Sequence, residues 1–216
     1  MIRAICFDMD GVLVDSERMS LRLVGEAAAL QGCEMTPEQC LLSIGANVAR
    51  FRQVLNDLFP GRIDADRFMQ DWFDLTMDYV RRDGVPLMPC ARETLASLRA
   101  RGLKLALCTS NVPKVVQEYL ALAGLTEAFD VIVTGDMVTH GKPDPAIYLL
   151  GAQKLGVLPE ECAGVEDSVS GVKAVRAAGM TCVMVPDVQP YTEELAQYVD
   201  HHIEHLDRLE EVLFGG

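Results

Sequence analysis

Two aspartates, one residue apart, directly follow an apolar segment near the start of the chain. Residues 2–7 are apolar except for one arginine, and Asp8, Asp10 and Gly11 come soon after them. An apolar run of this kind predicts a buried strand of a parallel sheet. Side chains alternate along an extended chain, so we expect the two carboxylates to emerge on the same side. Two like charges that close repel each other unless a cation or a shared proton lies between them.

Polar residues of complementary kinds follow other predicted strands and occupy one loop. They are Thr109, Ser110 and Asn111 after one strand, Glu166 and Asp167 after another, and Lys142 in a loop that contains two prolines. Ligands of open α/β sheets bind at the carboxyl ends of the strands, where we expect these residues to meet. Carboxylates suit Mg²⁺, whereas a lysine and a hydroxyl suit phosphate oxygens. Each feature alone is also typical of a helix cap or a solvated surface, but together they indicate a site for a metal ion and an anion.

The stretch between the first strand and residue 84 shows helical patterns and no convincing strand. Apolar residues recur at helical spacing in four segments, and the second segment begins with Thr36 and Pro37. A threonine followed by proline is typical of an N-cap and the first helical residue. Four helices inserted after a strand indicate a separate helical domain, to which we assign residues 16–84.

From residue 85 onward, short apolar runs alternate with helical segments, several of which end at a glycine. These glycines are Gly102, Gly124, Gly156 and Gly179. Asp144 is expected to cap one of the helices, with Pro145 at its first position. The alternation is typical of βαβ units and predicts an α/β fold with a parallel sheet. We assign residues 1–15 and 85–216 to this core domain, and expect its last 25 residues to add a short helix and an edge strand.

Composition limits the partners and the location of the protein. Half of the 216 residues are apolar and 24% are charged, as in globular proteins. The net charge of −13 argues against nucleic acid and anionic membranes as partners. No segment approaches the roughly 20 apolar residues of a membrane span. Because a strand is predicted from Ile2, we expect no signal peptide. Seven cysteines without a CxxC pair predict reduced thiols and a cytoplasmic protein.

The polar motifs, taken in order, resemble those of the haloacid dehalogenase superfamily of phosphotransferases. The order is Asp8-x-Asp10-Gly11, then Thr109, then Lys142-Pro143, then Glu166-Asp167. Residues 7–16, 141–145 and 164–168 are similar to the β-phosphoglucomutase and phosphatase branch of this superfamily. The resemblance covers the full chain. It implies a three-layer, Rossmann-like parallel sheet core with an α-helical cap domain inserted after the first strand.

The resemblance also implies roles for the acidic residues. Asp8 resembles the nucleophile that forms an aspartyl-phosphate, and Asp10 the general acid and base. The cofactor Mg²⁺ is expected to be held by the side chains of Asp8 and Asp167 and by the main-chain carbonyl of Asp10. Glu166 is expected to orient metal-bound water. Asp10 separates the chain from the dehalogenases proper, which lack this acid and need no metal.

Four residues are expected, on the same resemblance, to bind the transferring phosphoryl group. Thr109 and Lys142 would hold its oxygens, assisted by backbone N–H groups near Ser110 and Asn111. A carboxylate that attacks an anion needs its repulsion neutralised, which Lys142 and Mg²⁺ would supply.

Departures from the mutase pattern favour hydrolysis. Ser20 stands where the mutases have a histidine, residues 45–48 lack the basic residue of the mutase cap, and Arg50 is out of register with it. We therefore predict a Mg²⁺-dependent phosphatase of small phosphorylated metabolites, of the sugar or polyol phosphate kind. A β-phosphoglucomutase-type phosphomutase and a catalytically silent binding protein of the same fold stay as alternatives.

Substrate specificity is expected to come from the helical domain. The polar candidates there are Arg18, Arg22, Asn47 and Arg50. Charged residues on helices are mostly solvated, so each is also typical of a surface position. The sequence predicts neither the individual substrate nor the oligomeric state.

Overall fold

The computed structural model describes residues 1–43 and 48–215. The chain divides into two compact units. One consists of Met1–Asp15 with Leu87–Gly216, and the other is Ser16–Pro86.

Helices and strands alternate in the first unit, whereas the described part of the second unit is helical. In chain order they are β1 (Ala4–Phe7), α1 (Ser16–Leu30), α2 (Pro37–Cys40), α3 (Val48–Leu58), α4 (Ala65–Asp83), α5 (Ala91–Ala100), β2 (Lys104–Cys108), α6 (Pro113–Ala123), β3 (Val131–Val133), α7 (Ala146–Leu155), β4 (Cys162–Glu166), α8 (Val169–Ala177), β5 (Thr181–Met184), β6 (His201–His202) and α9 (Leu209–Phe214).

A six-stranded parallel sheet organises the first unit, with the strand order β3-β2-β1-β4-β5-β6. The first strand of the chain therefore lies between β2 and β4. Phe7 is opposite Leu107 of β2 and Val165 of β4. Because these three strands end at nearly the same level, Asp8 lies beside the residues that follow the other two strands.

Both faces of the sheet are buried. On one face an apolar cluster packs α7 and α8 against the sheet and includes Cys6, Cys108 and Tyr148. Phe7, one position from Cys6 in the strand, packs edge to face against Phe129 with 6.5 Å between ring centroids. Burial on both sides explains why the strands are continuously apolar rather than alternating. The predicted α/β fold with a parallel sheet is confirmed, and β6 and α9 are the expected edge strand and short helix.

Helix starts follow local capping chemistry, with one difference from the sequence prediction. Ser168 caps α8 by accepting the N–H of Gly171 at 3.0 Å. The helix predicted to start at Pro145 begins at Ala146, one residue later. The Asp144 carboxylate nevertheless accepts the Ala146 N–H at 2.9 Å, so this acid does satisfy a free donor of the first turn.

The second unit contains α1 to α4 around an apolar cluster of its own. Thr36 and Gln39 form a reciprocal capping box at the start of α2. Phe51, Phe68 and Trp72 pack together with ring centroids 5.5–6.3 Å apart. Burial of these rings stabilises the unit, since aromatic pairs add to the free energy of area burial. The role of this unit as a cap stays a prediction.

Neither residues 1–43 nor residues 48–215 include a helix that is both long enough and apolar enough to cross a bilayer. All seven cysteines carry free thiols, and all but Cys90 are buried. The reduced state of these thiols stays a prediction.

Candidate active site

Asp8 is the first residue after β1 and has a largely buried side chain. Its N–H donates to the Val165 carbonyl at 3.0 Å, so strand pairing fixes the backbone at this carboxylate. The Oδ1 atom of Asp8 lies 2.8 Å from Lys142 Nζ. Burial raises the pKa of the Asp8 carboxyl to about 7, and the ammonium of Lys142 opposes this rise. A second cation beside Asp8 would further favour the ionised form that a nucleophile needs.

Lys142 lies between two acids, and its side chain is only 7% exposed. Its Nζ is 2.6 Å from Glu166 Oε1 and 2.8 Å from Asp8 Oδ1. Burial alone would lower the pKa of Lys142, but the two carboxylates outweigh burial and hold this pKa above its ordinary value. Lys142 therefore presents a fixed positive charge beside Asp8.

Glu166 is fully buried at the end of β4 and is surrounded by donors. Its Oε1 accepts from Lys142 Nζ and from the Tyr148 hydroxyl, both at 2.6 Å. Its Oε2 accepts the N–H of Asp167 at 3.2 Å, and the N–H and hydroxyl of Ser168 at 3.4 and 3.2 Å. Burial and the neighbouring carboxylate raise the pKa of Tyr148, so this phenol stays a donor. A buried carboxylate requires such donors because unpaired buried charge is costly.

Two glycines make room for the carboxylates of Glu166 and Asp167, because neither glycine has a side chain. A Cβ built on Gly171 in α8 would overlap the carboxylate of Glu166. Gly11 has a φ of +69°, and a Cβ there would lie 2.6 Å from Cγ of Asp167. The approach of both carboxylates to the backbone therefore requires residues without a side chain.

We expect Gly171→Ala to lower the free energy of unfolding by about 1–3 kcal/mol, because the added methyl displaces Glu166. Gly25→Ala is the matched control, since Gly25 also lies within a helix and its Cβ would meet Cys40 Sγ at an ordinary 3.8 Å. Alanine should be neutral or stabilising there. Urea unfolding of the two variants measures the difference, and equal stability of Gly171→Ala and the unmodified protein would contradict the packing described.

Hydrogen bonds on the β2 side of Asp8 connect Asn111 to both Asp10 and Thr109. The Asn111 side-chain amide donates to Asp10 Oδ2 at 2.6 Å, across 101 residues of sequence. Thr109 is fully buried, and its Oγ1 accepts the Asn111 N–H at 3.1 Å. That contact uses the hydroxyl oxygen as acceptor and leaves its proton available for donation. Ser110, the third residue of this predicted set, is exposed.

Three acids form a group that could hold a metal ion. Asp8, Glu166 and Asp167 are buried, and one ligand atom from each lies within 4.8 Å of the others. Two of them, Asp8 and Glu166, share the ammonium of Lys142, so the three negative charges exceed the one positive charge of this lysine. Oxygen donors with surplus negative charge fit a hard divalent cation such as Mg²⁺. Glu166 already accepts five hydrogen bonds, so Asp8 and Asp167 are the better ligand candidates.

Four polar residues predicted to contact substrate belong to the second unit. Arg22 pairs with Glu26 at 3.3 Å along α1, and Arg18 is exposed on the same helix. Arg50 in α3 donates to a glutamine of its own helix at 3.3 Å. Asn47 lies outside the described residues. A contact between any of these residues and a substrate stays a prediction.

Sequence reasoning missed Tyr148 and the Asn111 side chain as parts of the site. Tyr148 lies in the first turn of α7, shortly after the Lys142 loop. Its nearness to Lys142 in the sequence could therefore have indicated that it belongs to the site. A tyrosine at helical spacing among apolar residues is, however, more typical of a core position. The Asn111 contact had no sequence signal, because it depends on how two strand ends meet in space.

The chain is similar in sequence to a family of hydrolases and to two named phosphatases. Residues 2–179 match the family of haloacid dehalogenase-like hydrolases. The chain is 33% identical to the phosphorylated carbohydrates phosphatase of Thermotoga maritima, over 83% of this chain and 82% of the relative. It is 34% identical to hexitol phosphatase A of Escherichia coli (strain K12), over 85% of this chain and 82% of the relative.

A solved structure is similar over nearly the whole chain. CbbY from Rhodobacter sphaeroides, in complex with phosphate, superimposes with a TM-score of 0.80 at 28% sequence identity, covering 97% of this chain and 96% of that one. The parallel sheet, the buried acids at the end of β1 and β4, and these matches lead to one assignment. The chain belongs to the haloacid dehalogenase-like hydrolases.

Proposed function

We propose that the chain is a Mg²⁺-dependent phosphatase of small phosphorylated metabolites, of the sugar or polyol phosphate kind. The observation that carries the proposal is the buried Lys142 ammonium 2.8 Å from the carboxylate of Asp8. An anionic nucleophile next to a fixed cation suits attack on a phosphoryl group, whose negative charge would otherwise repel the carboxylate. The two phosphatase relatives, which act on phosphorylated carbohydrates and hexitols by name, support the substrate class.

The first half of the proposed reaction transfers the phosphoryl group to Asp8. A carboxylate oxygen of Asp8 attacks phosphorus, and the bond from phosphorus to the ester oxygen breaks. Asp10 gives its proton to the leaving oxygen, so that the alcohol departs neutral. Lys142 and the hydroxyl of Thr109 would hold the phosphoryl oxygens during the transfer.

The second half hydrolyses the aspartyl-phosphate. Asp10, now ionised, takes a proton from water, and the water oxygen attacks phosphorus. The bond between phosphorus and the Asp8 oxygen breaks, which releases inorganic phosphate and restores both aspartates. The Asn111 amide, 2.6 Å from Asp10 Oδ2, would hold this carboxylate in place through both steps.

The side chains of Asp8 and Asp167, with the main-chain carbonyl of Asp10, would hold Mg²⁺. When bound, the ion supplies positive charge that neutralises the phosphoryl oxygens and the nucleophile. We also propose a cytoplasmic location, which the seven unpaired thiols support.

The test is a panel of sugar and polyol phosphates, assayed for inorganic phosphate with Mg²⁺ and with EDTA. We expect release that requires Mg²⁺, with at least one panel member turned over much faster than an aryl phosphate. An isomerised monophosphate, formed without inorganic phosphate, would instead assign the chain as a phosphomutase. No release and no isomerisation for any compound would make it a binding protein of the same fold.

We expect Asp10→Asn to lower kcat by about 10²–10⁴-fold, the usual contribution of a general acid or base. Asp8 remains as nucleophile, so slow phosphorylation should continue while hydrolysis of the intermediate is impaired. Rapid quench with a radiolabelled phosphate ester measures the phosphorylated fraction of the protein. Wild-type turnover by Asp10→Asn would show that Asp10 is not the general acid and base.

A further inference from the structure

One oxygen of Glu166 receives two short hydrogen bonds, one from Lys142 and one from Tyr148. We propose that Tyr148 is a positioning residue, which keeps the Lys142 ammonium against Asp8 by satisfying Glu166. The inference rests on the proposed phosphoryl transfer, because it concerns the charge that Lys142 presents to the phosphoryl group. In this role Tyr148 acts through Glu166 and Lys142 and does not itself contact the reacting atoms.

The fold fixes Tyr148 independently of the site. Its N–H donates to the Pro145 carbonyl at 3.0 Å in the first turn of α7, and its side chain is fully buried in the cluster between α7 and the sheet. From this position its hydroxyl lies 2.6 Å from Glu166 Oε1, and its ring centroid lies 5.1 Å from Lys142 Nζ. A single side chain anchored in the core therefore contacts both members of the Lys142–Glu166 pair.

The charges around Lys142 explain why the hydroxyl matters. Two carboxylates compete for the ammonium, and the distance to Glu166 (2.6 Å) is already shorter than that to Asp8 (2.8 Å). The hydrogen bond from the phenol partly neutralises the negative charge on Glu166 Oε1. The electrostatic attraction between Glu166 and Lys142 is therefore weaker than it would be without the hydroxyl. Without it, Lys142 is the only donor to Oε1 among the contacts described for this part of the chain. The low dielectric of the buried site strengthens this effect.

Removal of the hydroxyl should therefore draw the ammonium toward Glu166 and away from Asp8. The ring would stay in place, since phenylalanine fills the same volume in the cluster. The predicted loss of kcat is separate from the stability that the hydrogen bond contributes, and it should depend on the presence of Lys142. This dependence separates positioning from simple core packing, which would act whether or not Lys142 is present.

The test compares Tyr148→Phe with Tyr198→Phe, which removes a hydroxyl from a partly buried ring packed on the same cluster. We expect kcat of Tyr148→Phe to fall by about 10- to 100-fold, the size expected for losing a hydrogen bond to a charged group. KM should resemble that of Tyr198→Phe, which should keep wild-type kcat. The unfolding midpoint of Tyr148→Phe should be lower than that of the control, because buried Glu166 loses one of its donors. Both variants are therefore assayed well below their unfolding midpoints. In a Lys142→Ala background, Tyr148→Phe should cause no further loss, because residues that act through one another are not additive.

Wild-type kcat in Tyr148→Phe would overturn the inference, as would an equal loss with and without Lys142. If Tyr148→Phe does not fold, 3-fluorotyrosine at position 148 keeps the ring and changes the strength of the donor. A changed kcat that disappears in Lys142→Ala would then support the inference, and an unchanged kcat would overturn it. A wild-type protein that releases no phosphate from any ester would instead defeat the proposed function, and this inference with it.

Discussion

Replacement of Asp8 by asparagine is expected to reduce phosphate release by about 10³-fold or more while the fold is retained. The size follows from losses measured when an enzyme nucleophile is removed. Asparagine has nearly the same shape as aspartate, but its neutral amide does not attack phosphorus as a carboxylate does. Lys142 keeps Glu166 as a partner at 2.6 Å, so the buried ammonium is not left without a counter-charge.

The matched control is Asp207→Asn, the same chemical change at an exposed position of the same unit. It should leave kcat and stability unchanged. Steady-state assays with the best panel substrate, together with thermal unfolding, measure both properties. Retention of more than a few per cent of activity by Asp8→Asn would exclude a covalent mechanism through this residue.

Replacement of Lys142 by alanine is expected to lower kcat/KM by about 10²–10³-fold, the effect of removing one preorganised electrostatic group. The phosphoryl charge would lose its fixed protein cation, while Mg²⁺ and the nucleophile remain. Stability should also fall by about 3–5 kcal/mol, because Glu166 and Asp8 would lose the ammonium between them. Both effects follow from the two short contacts of Lys142 Nζ.

Lys154→Ala is the control for the lysine prediction, since Lys154 is exposed in the last turn of α7. We expect wild-type kinetics and stability from it. Assays at a temperature well below the unfolding midpoint of Lys142→Ala separate lost chemistry from lost fold. A mild effect on kcat/KM, measured on folded protein, would show that Lys142 does not hold the phosphoryl group.

The fold was predictable because its signals are local. The apolar run before Asp8 marks a buried strand, and strands that alternate with helices predict a parallel sheet. Ligands gather at the carboxyl ends of such strands, so Asp8, Lys142 and Glu166 could be expected near one another. Helix α7 begins one residue later than predicted, at Ala146, and the Asp144 carboxylate accepts the N–H of this first helical residue.

Contacts between residues that are far apart in the chain had no comparable signal in the sequence. The hydrogen bond of Asn111 to Asp10 joins residues that only the sheet brings together. The close approach of Gly171 to Glu166 depends on how α8 follows β4. The ring of Tyr148 is part of the apolar core, so the sequence pattern identifies it only as a core residue. Its hydroxyl matters because it donates to the buried carboxylate of Glu166. The sequence therefore indicated which residues form the site, whereas the contacts that hold these residues in place became visible only in the structure.

The covalent mechanism is tested most directly by identifying the residue that carries the phosphoryl group. Asp10→Asn protein is mixed with a radiolabelled phosphate ester and Mg²⁺, quenched in acid, and digested for peptide mapping at low pH. We expect label on the peptide that contains Asp8, at close to one phosphoryl group per active chain, and none after the same treatment of an Asp8→Asn, Asp10→Asn double variant. Label on another residue, or wild-type turnover with no labelled protein at any quench time, would show that Asp8 is not the nucleophile.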